Sequence, residues 1–517
     1  MSENAIRKVV IVGGGTSGWM SAAALCKFLD LSECEVMLVE SEHIGTVGVG
    51  EATLPHLRFF NETLGIDEAE FMRATNATYK MGIEFCNWGA LGQRYIHPFG
   101  DYGVPIDTIS FHHFWRALHK QGKVGAIDAY SLPVVAAGEG KFDYPSRDQQ
   151  SILATFGYAF HLDASLYAAF LREFSEKRGV KRKEGKICQV IQADSGEVQS
   201  LRLEDGTDIE GELFIDCSGF RSLLLGKTLG VGFEDWSQWL ACDRAVAMPC
   251  AGVDNPLPYT KAIARDCGWQ WRIPLRHRVG NGHVYCSSYM SDDEAHAILA
   301  NSLEGEALAE PNFVRFKAGH RVASWEKNCI AVGLAGGFLE PLESTSIYLI
   351  QIAITKMLEL FPCKEFKASV KNEFNRQMDT AFGRVRDFLI LHYHATQRND
   401  TPFWEFCRNM EVPEALAHKI ALFRRRGYVV QYDDGIFLEP SWLAVYLGQG
   451  ILPEAVDPRV HKFDMTRILS ECQKLEARIA AAVATMPSHQ QALERYTDAD
   501  AKAIWPGASM NLYGRNG

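Results

Sequence analysis

Lys8-Val9-Val10-Ile11-Val12-Gly13-Gly14-Gly15-Thr16-Ser17-Gly18 is the stretch that decides the fold. A β-branched run enters a GxGxxG turn, and Trp19 to Leu29, rich in Ala and Leu, continues as a helix. Strand, glycine turn and helix in that order are the context that turns a weak motif into a dinucleotide site. Gly13 permits the tight turn, Gly15 lets backbone approach a pyrophosphate, and Gly18 lets helix and strand pack closely. Thr16 and Ser17 open the helix, where free N–H groups favour an anion. Further out, Glu35-Val36-Met37-Leu38-Val39 reads as a second strand ending at Glu40. That places an acid about 20 residues beyond the glycines, where a ribose hydroxyl is met. The expected fold is α/β, a Rossmann-like module.

Composition sets the frame around it. A chain of 517 residues, 47% of them hydrophobic, can bury a large core in two or three subdomains. The net charge of −11 and the lack of a basic patch beyond Arg424-Arg425-Arg426 exclude a nucleic-acid backbone as partner. The thirteen cysteines include no CxxC pair, and the histidines no HExxH pair, so neither a disulfide framework nor a metal site is expected. Met1-Ser2-Glu3-Asn4 leads straight into a strand, and no apolar run reaches membrane-spanning length. The expectation is a cytoplasmic protein with no membrane partner.

Several other segments bear on chemistry. Gly48-Val49-Gly50-Glu51-Ala52-Thr53-Leu54-Pro55 is a second glycine loop, either an ordinary surface loop or backbone laid against a flat ring system. Leu213 to Gly219 is a strand ending in Asp216, a third element at the nucleotide crevice. Cys329 to Gly333 reads as a buried strand before Gly337-Phe338-Leu339-Glu340-Pro341-Leu342-Glu343-Ser344-Thr345-Ser346, and Ile347 to Ala353 as a buried helix. That helix start is an anion site with Glu343 beside it; alternatively Glu343 or Ser344 serves only as a cap. Lys80 lies among apolar and small residues, as a desolvated reactive amine or as a lysine snorkelling from an element end. Trp88, Tyr95, His97, Phe99 and the aromatic run through Trp115 could wall a pocket or fill a core. A helix is expected from Tyr158, a strand with Trp269 and Trp271 on one face, and a mainly helical part after Leu358. The order of strand, glycine turn, long insertion and returning strand fits a flavoprotein monooxygenase-type fold. A module over 1–360 with an interleaved substrate sheet, and a helical part over 361–517, is the expected division.

Gly13-x-Gly15-x-x-Gly18-Trp19, the Gly48–Pro55 loop, Trp269-x-Trp271-x-Ile273-Pro274 and Glu340-Pro341-Leu342-Glu343-Ser344-Thr345 together resemble the flavin-dependent tryptophan halogenases. The resemblance runs over nearly the whole chain, and the Trp-x-Trp-x-Ile-Pro segment separates that family from related flavin monooxygenases. It implies a two-component enzyme: a separate flavin reductase supplies reduced FAD, and dioxygen with bromide or chloride gives hypohalous acid. That electrophile reaches a small aromatic substrate through a lysine. Carried over by residue, Lys80 and Glu343 are catalytic, while Thr345 and Ser346 hold the halide. Trp269 and Trp271 keep substrate from flavin. His97 and Phe99 sandwich an indole, with Trp442 and Leu443 further along the pocket. The cofactor falls to Gly13, Gly15, Thr16, Ser17, Gly18, Glu40, Gly50, Glu51, Ala52, Asp216, Gly333 and Leu342.

Two departures from the pattern matter. Ser346 stands where the family has glycine, and Trp442-Leu443 where a tyrosine pair helps to hold a free amino acid. The second shifts the expected substrate toward indole or another electron-rich arene. The competing readings are a flavin-dependent aromatic hydroxylase and a catalytically silent FAD carrier; retention of both Lys80 and Glu343 opposes the carrier. A homodimer stays open.

Overall fold

A computed structural model describes residues 4–42, 50–432 and 436–497. Its contacts form two compact units, each built from three stretches of chain. The first comprises Met1–Asn76, Leu162–Arg244 and Val314–Arg386; the second comprises Ala77–His161, Ala245–Phe313 and Asp387–Gly517. This interleaving replaces the single cut expected at residue 360. Segments distant in sequence complete each other's sheets, which composition along the chain does not register.

The first unit is built on a six-stranded sheet in the order Trp325–Glu326, Cys329–Ala331, Leu213–Asp216, Lys8–Val12, Glu35–Glu40, Lys181–Glu184. All pairings are parallel except that between Trp325–Glu326 and Cys329–Ala331. Lys8–Val12 is central, and its Val9, Val10 and Ile11 are completely buried, as a parallel strand covered on both faces requires. Each such side chain contributes about 1.5–3 kcal/mol on leaving water. The helix Thr16–Phe28 follows directly and buries Gly18 through Leu25. The Rossmann-like α/β architecture is therefore present where the glycine turn predicts it.

In the second unit a mixed sheet holds Arg94–Pro98, Gly82–Cys86, Thr260–Ala264, Trp269–Pro274 and Arg278–Tyr285 as successive neighbours. Only the pairing of Gly82–Cys86 with Thr260–Ala264 is parallel. Trp269 and Trp271 share a face of their strand, but the alternating polar positions are buried too. Gln270 is held by Arg265 (2.9 Å) and Ser302 (2.7 Å), and Arg272 by Glu304. A separate short strand, Thr78–Lys80, pairs antiparallel with Ala159–Asp163, setting Lys80 opposite Ala159. Ala159–Asp163 lies where a helix is expected from Tyr158; the helix begins at Ala164 because Asp163 caps it, accepting from Ser165 and Leu166 N–H. Pro402–Asn409, Glu414–Arg426, Glu439–Gly448 and Met465–Thr485 supply the expected helical part.

The glycine turn separates packing from binding. A Cβ on Gly18 would lie 1.9 Å from the Gly13 carbonyl oxygen, whereas one on Gly15 would meet nothing within 4 Å. Gly18→Ala should therefore destabilise the fold by about 2 kcal/mol or more despite the better helix propensity of alanine. Gly15→Ala should leave the melting temperature unchanged and weaken flavin dinucleotide binding in a fluorescence titration. Equal melting temperatures for the two variants would contradict this division of roles.

Candidate active site

In the first unit the glycine turn presents backbone and little else. Gly13 takes φ +113°, a conformation L side chains avoid, and donates its N–H to Val39 (2.8 Å). Gly15 caps the Thr16–Phe28 helix with no side-chain hydrogen bond, and no acid sits in the first turn. With open space above Gly15, the N–H groups at Thr16 and Ser17 suit a pyrophosphate. Glu40 ends the second strand; its Oε1 accepts from Arg182 at 2.5 Å, and its Oε2 leans over Gly14. Gly333, at φ +75°, approaches Ser17 so closely that an added Cβ would lie 2.9 Å from the serine Cβ. These features fit a dinucleotide laid along the turn.

Asp216 departs from the expected role. Its Oδ1 accepts from the Ser218 N–H (3.0 Å) and hydroxyl (2.5 Å), and its Oδ2 from Leu224 (2.8 Å) and Leu225 (2.9 Å). Four donors use the full acceptor capacity of a buried carboxylate. Asp216 shapes the turn after its strand and has no oxygen left for a ligand. Of the second glycine loop, Gly48 and Val49 lie outside the described residues. Gly50, Glu51 and Ala52 form a short strand in which burial pushes the Glu51 carboxyl up to about 7.

The Glu340–Ser346 segment leads into a second helix start. Pro341–Glu343 is one 3-10 turn, Ser344 takes the left-handed conformation (φ 60°, ψ 33°), and the Ser346–Glu359 helix starts two residues later. Thr345, not Glu343 or Ser344, is the N-cap, and no side chain bonds back to the first turn. Thr345 is completely buried, and its Oγ1 has no hydrogen-bond partner among the described residues. A hydroxyl donor, free helix N–H groups and buried Ile347 and Leu342 fit a small, weakly hydrated anion such as a halide. Glu343 is also fully buried beside that start.

In the second unit the predicted substrate residues come together. Lys80 is 0% exposed, and its Nζ stands 5.0 Å from the Phe99 ring centroid. Pairing of Gly82–Cys86 with Arg94–Pro98 sets His97 opposite Ile83, and Phe99 then bonds back to Met81 (2.8 Å). His97 lies 5.8 Å from Phe388 and 6.4 Å from Phe437; Phe388 stacks on Phe437 at 3.8 Å and meets Trp442 edge-on at 5.1 Å. Trp442 is fixed by donating to the Phe437 carbonyl (3.0 Å), and Leu443 is buried on the same helix. Phe388 and Phe437 carry no signal in the sequence, since nothing but folding brings them to His97. Trp269 and Trp271 are buried with ring centroids 6.1 Å apart, and Trp271 lies over Gly282, where a Cβ would clash at 2.0 Å.

His161 is the other group that sequence reasoning misses. It pairs with Thr78 across the strands, two residues from Lys80 and on the same face. Thr78 Oγ1 donates to the Pro274 carbonyl (2.7 Å), so it must accept from His161 Nδ1 (3.0 Å), and Nε2 accepts from Thr260 (2.9 Å). Burial, with Lys80 next in order, holds the imidazole well below its ordinary pKa. A neutral ring in one tautomer thus lies near the lysine, adding no second positive charge.

The glycine turn of the first unit defines the class, a dinucleotide-binding α/β protein, and the second unit holds a buried amine beside an aromatic ring. A profile of the tryptophan halogenase family matches residues 8–465. The fold superposes on BrvH, a flavin-dependent halogenase from Brevundimonas sp. BAL3, with a TM-score of 0.92 and 46% identity, covering 95% of this chain and 99% of that one. Xcc4156, a flavin-dependent halogenase from Xanthomonas campestris, gives 0.92 and 47%, covering 96% and 100%. The tryptophan 6-halogenase ThaL of Streptomyces albogriseolus is 38% identical over 87% of this chain and 91% of its own. The chain belongs to the tryptophan halogenase family and is a flavin-dependent halogenase; the comparisons give the hydroxylase reading no support. No helix among the described residues is long and apolar enough to cross a membrane.

The Glu51 carboxyl supplies a check on the cofactor region in the protein alone. Its pKa is raised from 4.5 to about 7 on folding. The folded chain then holds a proton that the unfolded chain releases, so this group's contribution is greatest below 4.5 and declines as pH rises toward 7. The full change is roughly 3 kcal/mol. Glu51→Gln should raise the melting temperature of flavin-free protein at about pH 8, and the gain should shrink toward zero as the buffer approaches pH 4.5. A gain of constant size across that range would show that Glu51 is already ionised in the folded state.

Proposed function

We propose that this halogenase installs bromide or chloride on a bare indole or a similar electron-rich arene, using reduced FAD delivered by a separate flavin reductase. The observation that carries the reading is the fully buried Lys80 amine over Phe99, in the unit that also holds the His97–Phe388–Phe437–Trp442 cluster. Bound reduced flavin, with dioxygen and halide, supplies hypohalous acid. Gly13, Gly15, Thr16, Ser17, Gly18 and Glu40 hold its dinucleotide part. Gly50, Glu51, Ala52, Gly333 and Leu342 are assigned to the rest of the cofactor, and Trp269 and Trp271 to separating flavin from substrate.

The chain's own chemistry begins at the halide. Thr345 and Ser346 hold the anion through a hydroxyl and helix-terminal N–H groups, in a setting that removes part of its hydration. Lys80 then captures the electrophile through a hydrogen bond to its oxygen, or as a haloamine, the neutral amine breaking the oxygen–halogen bond and losing a proton as water leaves, so that it meets one ring position instead of any nucleophile in solution. Capture requires a neutral amine or a single positioned donor proton, and the neutral His161 tautomer keeps neighbouring charge low. Glu343 orients the electrophile and takes the proton that the cationic ring must lose. His97 and Phe99 sandwich the arene, while Trp442 and Leu443 close its far end.

Lys80→Ala should lower halogenated product at least a hundredfold, the scale of a lost acid–base group. Flavin oxidation by dioxygen and FAD affinity should be unchanged. Regioselective turnover persisting in that variant would remove Lys80 from the chemistry.

ThaL's name specifies tryptophan, and the pocket here argues for a different preference. Trp442 and Leu443 present apolar surface at the positions of the tyrosine pair, so a bound amino-acid group loses hydrogen bonds at a cost of a few kcal/mol. About 4 kcal/mol corresponds to a roughly thousandfold preference for indole over free tryptophan. Bromide, more easily oxidised and less tightly hydrated, should outcompete chloride. Specificity constants for both substrates with each halide check this, and chlorination of tryptophan matching bromination of indole would refute both halves.

A further inference from the structure

The first unit contains a polar cluster that the halogenation chemistry does not use. Strand Phe233–Asp235 pairs antiparallel with Gly319–Arg321, setting Glu234 opposite His320, and Asp379 projects from the Ala368–His394 helix. One ligand-type atom from each of Glu234, His320 and Asp379 lies within 4.8 Å of the other two. His320 is only 2% exposed, and its Nε2 makes no hydrogen bond among the described residues. That nitrogen stands 3.4 Å from Glu234 Oε2 and 3.5 Å from Asp379 Oδ1. Both separations exceed the usual 2.7–3.2 Å of an N–H···O bond. They match the spacing of about 3.4 Å between ligand atoms around a tetrahedral ion with bonds of about 2.0–2.1 Å.

We propose that Glu234, His320 and Asp379 bind a divalent transition-metal cation of the zinc type, joining the Phe233–Asp235 and Gly319–Arg321 strands to the Ala368–His394 helix. The ligand set is one imidazole nitrogen and two carboxylate oxygens, with the partly exposed carboxylates leaving a position for water. Two of the three ligands are oriented by neighbours. Trp236 Nε1 donates to Glu234 Oε1 (2.8 Å), which leaves Oε2 for the ion. The His320 ring stacks on Phe382 (5.3 Å) and lies against Trp236 (4.8 Å). Arg386 opposes a second cation, but its guanidinium sits over the Trp236 and Trp239 rings at 4.9 and 5.2 Å, and two carboxylates outweigh it. The absence of an HExxH helix does not bear on this site, whose ligands come from two strands and a helix.

The test is calorimetric titration of the metal-stripped full-length chain with zinc chloride, for wild type, Asp379→Asn and Glu234→Gln. Asp379 is mostly exposed, so its substitution leaves packing intact. Zinc held by any of the thirteen cysteines would be indifferent to both changes. The expected result is one equivalent bound to wild type, with affinity reduced at least tenfold in each variant. No one-equivalent binding to wild type, or the wild-type isotherm retained in both variants, would overturn the proposal.

Discussion

The structure depends on keeping one amine dry. A lysine with no solvent exposure loses the hydration that normally stabilises its charge, and that cost is tolerated only where the surroundings compensate. Part of the compensation is the Phe99 face 5.0 Å from Nζ. The Thr78–His161–Thr260 network, fixed to the Pro274 carbonyl, keeps a neutral imidazole nearby. The same exclusion of water suits an electrophile that reacts with almost any nucleophile it meets. Burial of Lys80 is thus a burden on stability, and the role proposed for the amine gives a reason for it.

Two helix starts offer backbone N–H groups, and they differ in their surroundings. Gly15 leads into open space with backbone N–H groups exposed, as a bulky pyrophosphate needs. Thr345 caps its helix with a fully buried side chain and adds a hydroxyl, a setting suited to a single small ion. Ser344, held at φ 60°, makes the sharp entry between the 3-10 turn and that helix. Glu343 is thereby fixed beside the start without serving as its cap.

What was legible in the sequence follows from how local each constraint is. Gly13, Gly15 and Gly18 are dictated by backbone geometry within a few residues, so strand, turn and helix could be read directly. The roles assigned to Trp269 and Glu343 came from the family resemblance, since the residues alone left a core tryptophan and a helix cap open. Asp216 was misleading because a strand-ending acid looks alike whether it serves a ligand or its own turn, and here four internal donors claim it. Phe388 and Phe437 were invisible, since their meeting with His97 depends on segments hundreds of residues apart. The domain boundary failed for the same reason: each unit is assembled from three separated stretches. His161 went unnoticed inside a stretch read as helix, where its pairing with Thr78 has no counterpart.

The central claim is that the oxidising power of reduced flavin and dioxygen is diverted through halide to the arene, and it can be measured in the product. Indole would be incubated with the enzyme, FAD, a flavin reductase and its nicotinamide, with and without bromide, and the products weighed by mass spectrometry. The account predicts a monobrominated indole that forms only with bromide, and unchanged indole in its absence. A hydroxylated indole formed at the same rate whether or not bromide is present would contradict it.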